Sequence, residues 1–249
     1  MNRHSLNKQI IHFLHSGKTG GTAVKYALEN TSLSPQYSFF LHDHSVKLRD
    51  IPYGEKVFFF LRDPITRFVS GFYSRQRQGK PRYNSPWSKQ EEAAFLQFKT
   101  PNDLAISLTS ETPKVRESAF EAMINIQHVN SFYMDWFGSE EYFNDRLSNI
   151  FFIGFQESLD SDFELLKIKT GLPPTVSLPR DSLNMHQNPA GLHTQLAELA
   201  VTNLKKWYEK DYFFLNLCKE HALLCRVIKK QYQGHTKNRN ATVTPDTTK

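Results

Sequence analysis

Apolar residues gather along this chain into four short runs, at positions 10–14, 37–41, 56–61 and 149–157, each closed by a polar or glycine-containing turn. Runs of this length, rich in Phe, Ile and Val and bounded by breakers, predict buried strands. Helical spacing takes over between and after them. One helix is expected from the glycines at 20–21 to the region Glu29–Ser32, a second from Pro64, and a third over Asp160–Thr170, closed by Gly171 with Pro173 and Pro174 beyond. Residues 89–148 read as mostly helical, over 91–98, after Pro101, over 113–128 and over 140–147. Leu192 to Lys230 is helical with a break near Asp211, and the polar stretch 233–249 reads as a disordered tail. Strands alternating with helices give an α/β fold: a P-loop-like parallel sheet flanked by helices, with a mostly helical insertion, in a single domain over 1–232. Ligands of such sheets bind beyond the carboxyl ends of the strands, so the residues just past each run are the first candidates for chemistry.

After the first run comes His15-Ser16-Gly17-Lys18-Thr19-Gly20-Gly21-Thr22, which opens a helix. Gly17, Gly20 and Gly21 let the backbone turn tightly, so that the amides around Thr19 to Thr22, at the positive end of the helix, can face an anion beside the charge of Lys18. Gly17-Lys18-Thr19 fits the end of the Walker A template, but His12 stands where that template has its first glycine. The bland alternative is a glycine-rich turn between a core strand and a core helix.

A second strand-to-helix turn has the sequence Leu61-Arg62-Asp63-Pro64. Asp suits the N-cap and Pro the first helical position, which leaves Arg62 at the strand end; Ser70 lies eight residues later in the helix. The Lys-Thr-Gly-Gly-Thr core resembles the 5'-phosphosulfate loop of sulfotransferases that use 3'-phosphoadenosine 5'-phosphosulfate (PAPS), especially the carbohydrate-type enzymes. The Arg62 and Ser70 pair resembles their 3'-phosphate motif. The resemblance implies that residues 17–22 hold the 5'-phosphate, that Arg62 and Ser70 hold the 3'-phosphate, and that Lys18 stabilises charge on the leaving phosphate oxygen. The co-substrate would be PAPS and the product 3',5'-ADP, with no metal required. The resemblance continues through the late strand and helix, and places a loop that closes over the nucleotide near Asn184; the Arg-Lys-Gly signature of the small-molecule branch is missing there.

His42-Asp43-His44 ends the second run, between the two nucleotide motifs. Histidine is the side chain suited to taking a proton from a hydroxyl near neutral pH. Uronyl 2-O-sulfotransferases have a similar His-Gly-His and use the second His, which points to His44 as the base and to His42 as a supporting residue or the alternative base. Either could instead close the strand by binding backbone or water.

The stretch from Arg75 to Trp87, basic and aromatic with two prolines, reads as an exposed loop. Arg75 and Arg77, with Lys80 and Arg82, are candidates for binding an acceptor; a solvated basic face is the alternative. The formal charge of +6 over 249 residues suits anionic partners such as PAPS, and no nucleic-acid-binding signature accompanies it. Two cysteines, Cys218 and Cys225, are seven apart in a helical stretch, too far for a disulfide, and no Cys/His group has zinc spacing. No apolar run approaches the roughly 20 residues of a membrane helix, and residues 1–9 are polar, which predicts a cytoplasmic protein with no membrane partner. The activity implied is sulfuryl transfer to a hydroxyl of a glycan or glycan-like acceptor. A P-loop kinase and an inactive glycan-binding module are the rivals, the first weakened by the absent glycine and by the lack of an acidic residue suited to Mg²⁺ after an apolar strand.

Overall fold

The computed structural model describes residues 8–29, 34–181, 188–189 and 191–239, with side chains as far as Leu224. Four strands, β1 (Gln9–Leu14), β2 (Tyr37–Leu41), β3 (Lys56–Leu61) and β4 (Ile150–Phe155), form one sheet in the order β2-β1-β3-β4. Every pairing is parallel, so all four carboxyl ends lie along one edge. The helices are α1 (Gly21–Glu29), α2 (Pro64–Gln76), α3 (Lys89–Gln97), α4 (Pro101–Ser107), α5 (Pro113–Asn125), α6 (Tyr133–Phe137), α7 (Glu140–Asp145), α8 (Leu159–Thr170), α9 (Glu198–Trp207) and α10 (Glu209–Arg239).

Strand β3 shows why the apolar runs are continuous rather than alternating. Phe58 and Phe60 pack on one face with Ile11, Val24, Phe163 and Leu166, while Val57, Phe59 and Leu61 pack on the other with Tyr133, Phe137, Phe143 and Phe214. Side chains alternate across a strand, and a parallel sheet covered by helices on both faces buries both sets. A third apolar cluster joins α2 through Phe68 and Phe72 to α3, α4, α5 and α9, so the inserted helices have a core of their own beside the sheet.

The start of α2 follows the local chemistry of its sequence: Asp63 accepts a hydrogen bond from the Thr66 amide at 2.9 Å and Pro64 takes the first helical position. Two expectations need correction. Helix α2 continues to Gln76, so Arg75 belongs to the helix and not to an exposed loop. It is 2 % exposed, and its Nε and Nη2 donate to the two Glu91 carboxylate oxygens at 2.7 and 2.6 Å. A guanidinium committed to a buried carboxylate, with the carbonyls of Ser85 and Pro86 as further acceptors, is a structural group rather than one that binds acceptor. Secondly, the helix from Pro113 ends at Asn125, and α6 stands in the segment after it where no helix is expected. Helix α10 is described as far as Arg239, and residues 240–249 of the expected tail lie outside the described residues. The break near Asp211 corresponds to the junction of α9 and α10 around Tyr208. Cys218 is buried as a free thiol, and the side chain of Cys225 lies outside those described. Among the described residues no helix is long and apolar enough to cross a membrane.

The Arg75–Glu91 pair supports a prediction. Replacing Glu91 with Gln removes the carboxylate from a buried guanidinium, and such a break costs about 3 to 5 kcal/mol. Urea denaturation of Glu91→Gln is expected to show that loss.

Candidate active site

The strand order reverses direction between β1 and β3, since β1 is followed in space by β2 on one side and by β3 on the other. The crevice of an open parallel sheet lies at such a switch point, beyond the carboxyl ends. A cavity of about 510 Å³ occupies that position. Each strand contributes a residue just past its end: His15 after β1, His44 after β2, Arg62 after β3 and Gln156 after β4.

The loop between β1 and α1 forms one wall, through Lys18, Gly20, Gly21 and Thr22. Lys18 has φ of 66°, a left-handed conformation that a non-glycine residue pays about 1 to 3 kcal/mol to adopt and that clusters at ligand sites. A Cβ at Gly21 would lie 2.1 Å from Cδ2 of His15, whose ring closes over the first turn of α1, so any side chain there would have to displace that ring. Thr19 is turned inward, its hydroxyl donating to the Ser16 carbonyl at 2.9 Å, so this side chain braces the loop instead of facing the cavity. Neither Thr19 nor Gly17 lines it.

Arg62 and Ser70 both line the cavity. The Arg62 guanidinium is held by the Thr66 hydroxyl at 2.9 Å from Nε and by the Lys18 carbonyl at 3.4 Å from Nη1, which ties the two sequence motifs to each other. Arg77 stands outside the lining, held by Asn188 Oδ1 and the Lys80 carbonyl, both at 2.7 Å, but it is close enough to act on Lys18 electrostatically. Arg82 and Tyr83, from the loop after α2, form part of the opposite wall with Asn188 and Thr194. Asn184 lies outside the described residues. No carboxylate lines the cavity among the described residues. Burial, with the charges of Arg77 and Arg62, pulls the Lys18 ammonium down to about 7.

The histidines separate. His44 lines the cavity, and its Nδ1 donates to the His15 carbonyl at 2.8 Å, while the Trp136 indole donates to the His44 carbonyl at 3.0 Å. A carbonyl only accepts, so Nδ1 carries a proton and Nε2 is the basic nitrogen of the neutral ring. Burial lowers the His44 pKa below its ordinary value, keeping the ring neutral at physiological pH. His42 does not line the cavity. Its Nε2 is bonded to Nδ1 of His12 at 2.8 Å, the rings lie within 3° of parallel, and Nε2 of His12 meets Glu55 at 2.5 Å. His42 thus belongs to a Glu55–His12–His42 chain beside the cavity, with its Nε2 committed to His12.

Sequence reasoning missed His15 and His128. His15 is buried, and burial together with His44 holds its pKa well below the ordinary value. His128, with φ of 69°, lines the cavity edge-on to His44, with ring centroids 6.1 Å apart. His15 stood within the loop motif and was open to notice; nothing around position 128 marks it, because it reaches the site through the packing of the inserted helices.

Among the described residues no group of three or more His, Cys, Asp or Glu is placed to hold a metal ion. What the arrangement can do is bind a multiply charged anion along Lys18, the α1 terminus and Arg62, and hold a neutral imidazole next to it. Residues 13–217 match the sulfotransferase family. The search of curated proteins finds no match.

The lowered Lys18 pKa has a measurable sign. An anion in the loop favours the protonated amine, so above pH 7 the bound state holds a proton that the free state has lost. Affinity for an anion in the loop, probed with inorganic sulfate, is expected to fall as pH rises through about 7 and beyond. Calorimetry near pH 8, in buffers of different ionisation enthalpy, should show proton uptake that Lys18→Ala abolishes.

Proposed function

This chain belongs to the sulfotransferase family, and we propose that it carries a sulfuryl group from PAPS to a hydroxyl of a carbohydrate-like acceptor. The observation that carries the proposal is the placement of His44, with its tautomer set by the His15 carbonyl, in the same cavity as Lys18, Arg62 and Ser70. The donor set fits the nucleotide: a glycine loop at a helix start for one phosphate, and a guanidinium with a hydroxyl at a separate position for another.

In the reaction the bond from sulfur to the acceptor oxygen forms as the bond from sulfur to the phosphate oxygen breaks. His44 Nε2 takes the proton from the acceptor hydroxyl. Lys18 stabilises the charge that appears on the departing phosphate oxygen, and the first-turn residues Gly21 and Thr22 hold that phosphate. Arg62 and Ser70 bind the 3'-phosphate, which leaves as part of 3',5'-ADP. Acceptor recognition falls to the wall that includes Arg82 and Tyr83, a polar and aromatic surface suited to a sugar ring; Arg77 acts behind it by holding Asn188.

Two experiments test the donor and the base. Titration calorimetry should find 3',5'-ADP bound without metal and preferred over ATP with Mg²⁺; the reverse preference would support a kinase instead. Arg62→Ala is expected to weaken 3',5'-ADP by about 1.5 to 3 kcal/mol, the range for a hydrogen bond to a charged group, with adenosine 5'-phosphosulfate little affected. For the base, His44→Ala should lose most turnover with nucleotide affinity intact, and His42→Ala should keep most of it. Because the His44 pKa is lowered, the rate is expected to hold until pH falls below the ordinary imidazole value and then drop as Nε2 is protonated. An active His44→Ala enzyme would remove His44 from the role.

A further inference from the structure

Arg62 is held at both backbone groups by one side chain. The Tyr133 hydroxyl accepts from the Arg62 amide at 2.9 Å and donates to the Arg62 carbonyl at 2.5 Å. A phenol that closes both bonds on a single residue fixes the direction in which the Cα–Cβ bond of that residue points. The next residue is held as well: the Asp63 amide donates to Glu157 Oε1 at 2.7 Å, and Asp63 Oδ2 accepts from the Tyr212 hydroxyl at 2.8 Å.

Tyr133 is itself fully buried and anchored from behind. Its amide donates to Asp211 Oδ1 at 2.8 Å, and Asp211 Oδ2 accepts from Arg67 Nη2 at 2.5 Å. The Arg67 guanidinium lies over the Tyr133 ring, 4.5 Å from its centroid, and its Nε and Nη1 have no hydrogen-bond partner. The ring face takes the place of those acceptors, an attraction that strengthens when the cation is desolvated. Tyr133 is thereby gripped at amide and ring and presents its hydroxyl to Arg62.

We propose that Tyr133 is a positioning residue that gives the site its selectivity for a nucleotide bearing a 3'-phosphate, by fixing the backbone from which the Arg62 guanidinium reaches that phosphate. The proposal rests on the assignment of Arg62 to the 3'-phosphate. A bidentate contact between guanidinium and phosphate depends on angle as well as distance, so loosening the backbone of Arg62 weakens it without removing the charge. The arrangement meets the loop around Lys18 through the long Arg62 Nη1 bond to the Lys18 carbonyl at 3.4 Å, and Tyr133 bonds only to the Arg62 backbone, so the 5'-phosphate contacts should lose less than the 3'-phosphate contact.

The test compares 3',5'-ADP with 5'-AMP by calorimetry on the full chain. Tyr133→Phe keeps the ring over Arg67 and removes both bonds to Arg62. Its affinity for 3',5'-ADP should fall on the order of ten-fold, equivalent to about 1.4 kcal/mol, with 5'-AMP changed less than about two-fold. With PAPS as donor, KM should rise more than kcat falls. Replacement of Tyr133 by p-aminophenylalanine keeps a donor for the Arg62 carbonyl and leaves one backbone group unpaired, so it covers the case in which the phenylalanine variant does not fold. This variant should lose part of the preference. An unchanged ratio of the two affinities in the variant that folds, or equal losses for both nucleotides, would overturn the proposal. A wild-type protein that does not prefer 3',5'-ADP over 5'-AMP would overturn the donor reading, and this proposal with it; a wild-type preference that survives loss of the Tyr133 hydroxyl overturns this proposal alone.

Discussion

The parallel pairing of β1 with β2 on one side and β3 on the other is the constraint on which the rest depends. It sets the ends of β1 and β3 side by side, so the loop after β1 and the turn after β3 share one crevice although Lys18 and Arg62 are 44 positions apart. Hydrogen bonding in the sheet thus does what no local signal can, bringing the Lys18 carbonyl to Arg62 Nη1. The apolar alternation of β3, with phenylalanines buried on both faces, holds the sheet between its helix layers and makes that geometry rigid.

Charge in this protein is divided between groups that the fold satisfies and groups that it leaves for a ligand. Arg75 has Glu91, Arg67 has Asp211, and Arg146 is surrounded by the carbonyls of Leu48, Ile51 and Pro52. These are buried and fully engaged, apart from the two Arg67 nitrogens that face aromatic rings. Lys18, Arg62 and Arg82 instead border a cavity lined by no carboxylate among the described residues. Burial of Lys18 and its repulsion from Arg77 and Arg62 are relieved by an anion, so a strained Lys18 and a lowered amine pKa belong with anion binding rather than with stability.

The imidazoles show how one residue type takes different roles through its second nitrogen. His44 gives Nδ1 to a carbonyl and keeps Nε2 for chemistry, whereas both nitrogens of His12 are occupied, by His42 and Glu55. A ring with both nitrogens bound stiffens the β1–β2 edge; a ring with one bound is oriented and still reactive. His44 is a ring of the second kind, in the same cavity as Lys18, and on this the proposed role as base is built.

From the sequence by itself, the four strands, the strand-loop-helix at Gly17–Thr22 and the capped turn at Arg62–Pro64 were legible, because apolar periodicity, glycine and an Asp-Pro start act over a few residues. The pairing of Arg62 with Ser70 and the choice of His44 came from the family resemblance and not from local chemistry, which marked only an Arg and two histidines at strand ends. The sorting of charges was not legible. Arg75 and Arg82 look alike in a basic stretch, and only the packing of α3 against α2 supplies Glu91 to the first and leaves the second at the cavity. The sequence around His42 and His44 does not by itself separate their surroundings: in the fold His12 bonds the first and the His15 carbonyl the second. Tyr133 gave no signal, since it meets Arg62 across 71 residues and Asp211 across 78. A side chain's role depends on what desolvates it and what bonds it, and for these residues both come from parts of the chain that only the folded sheet and its helices bring together.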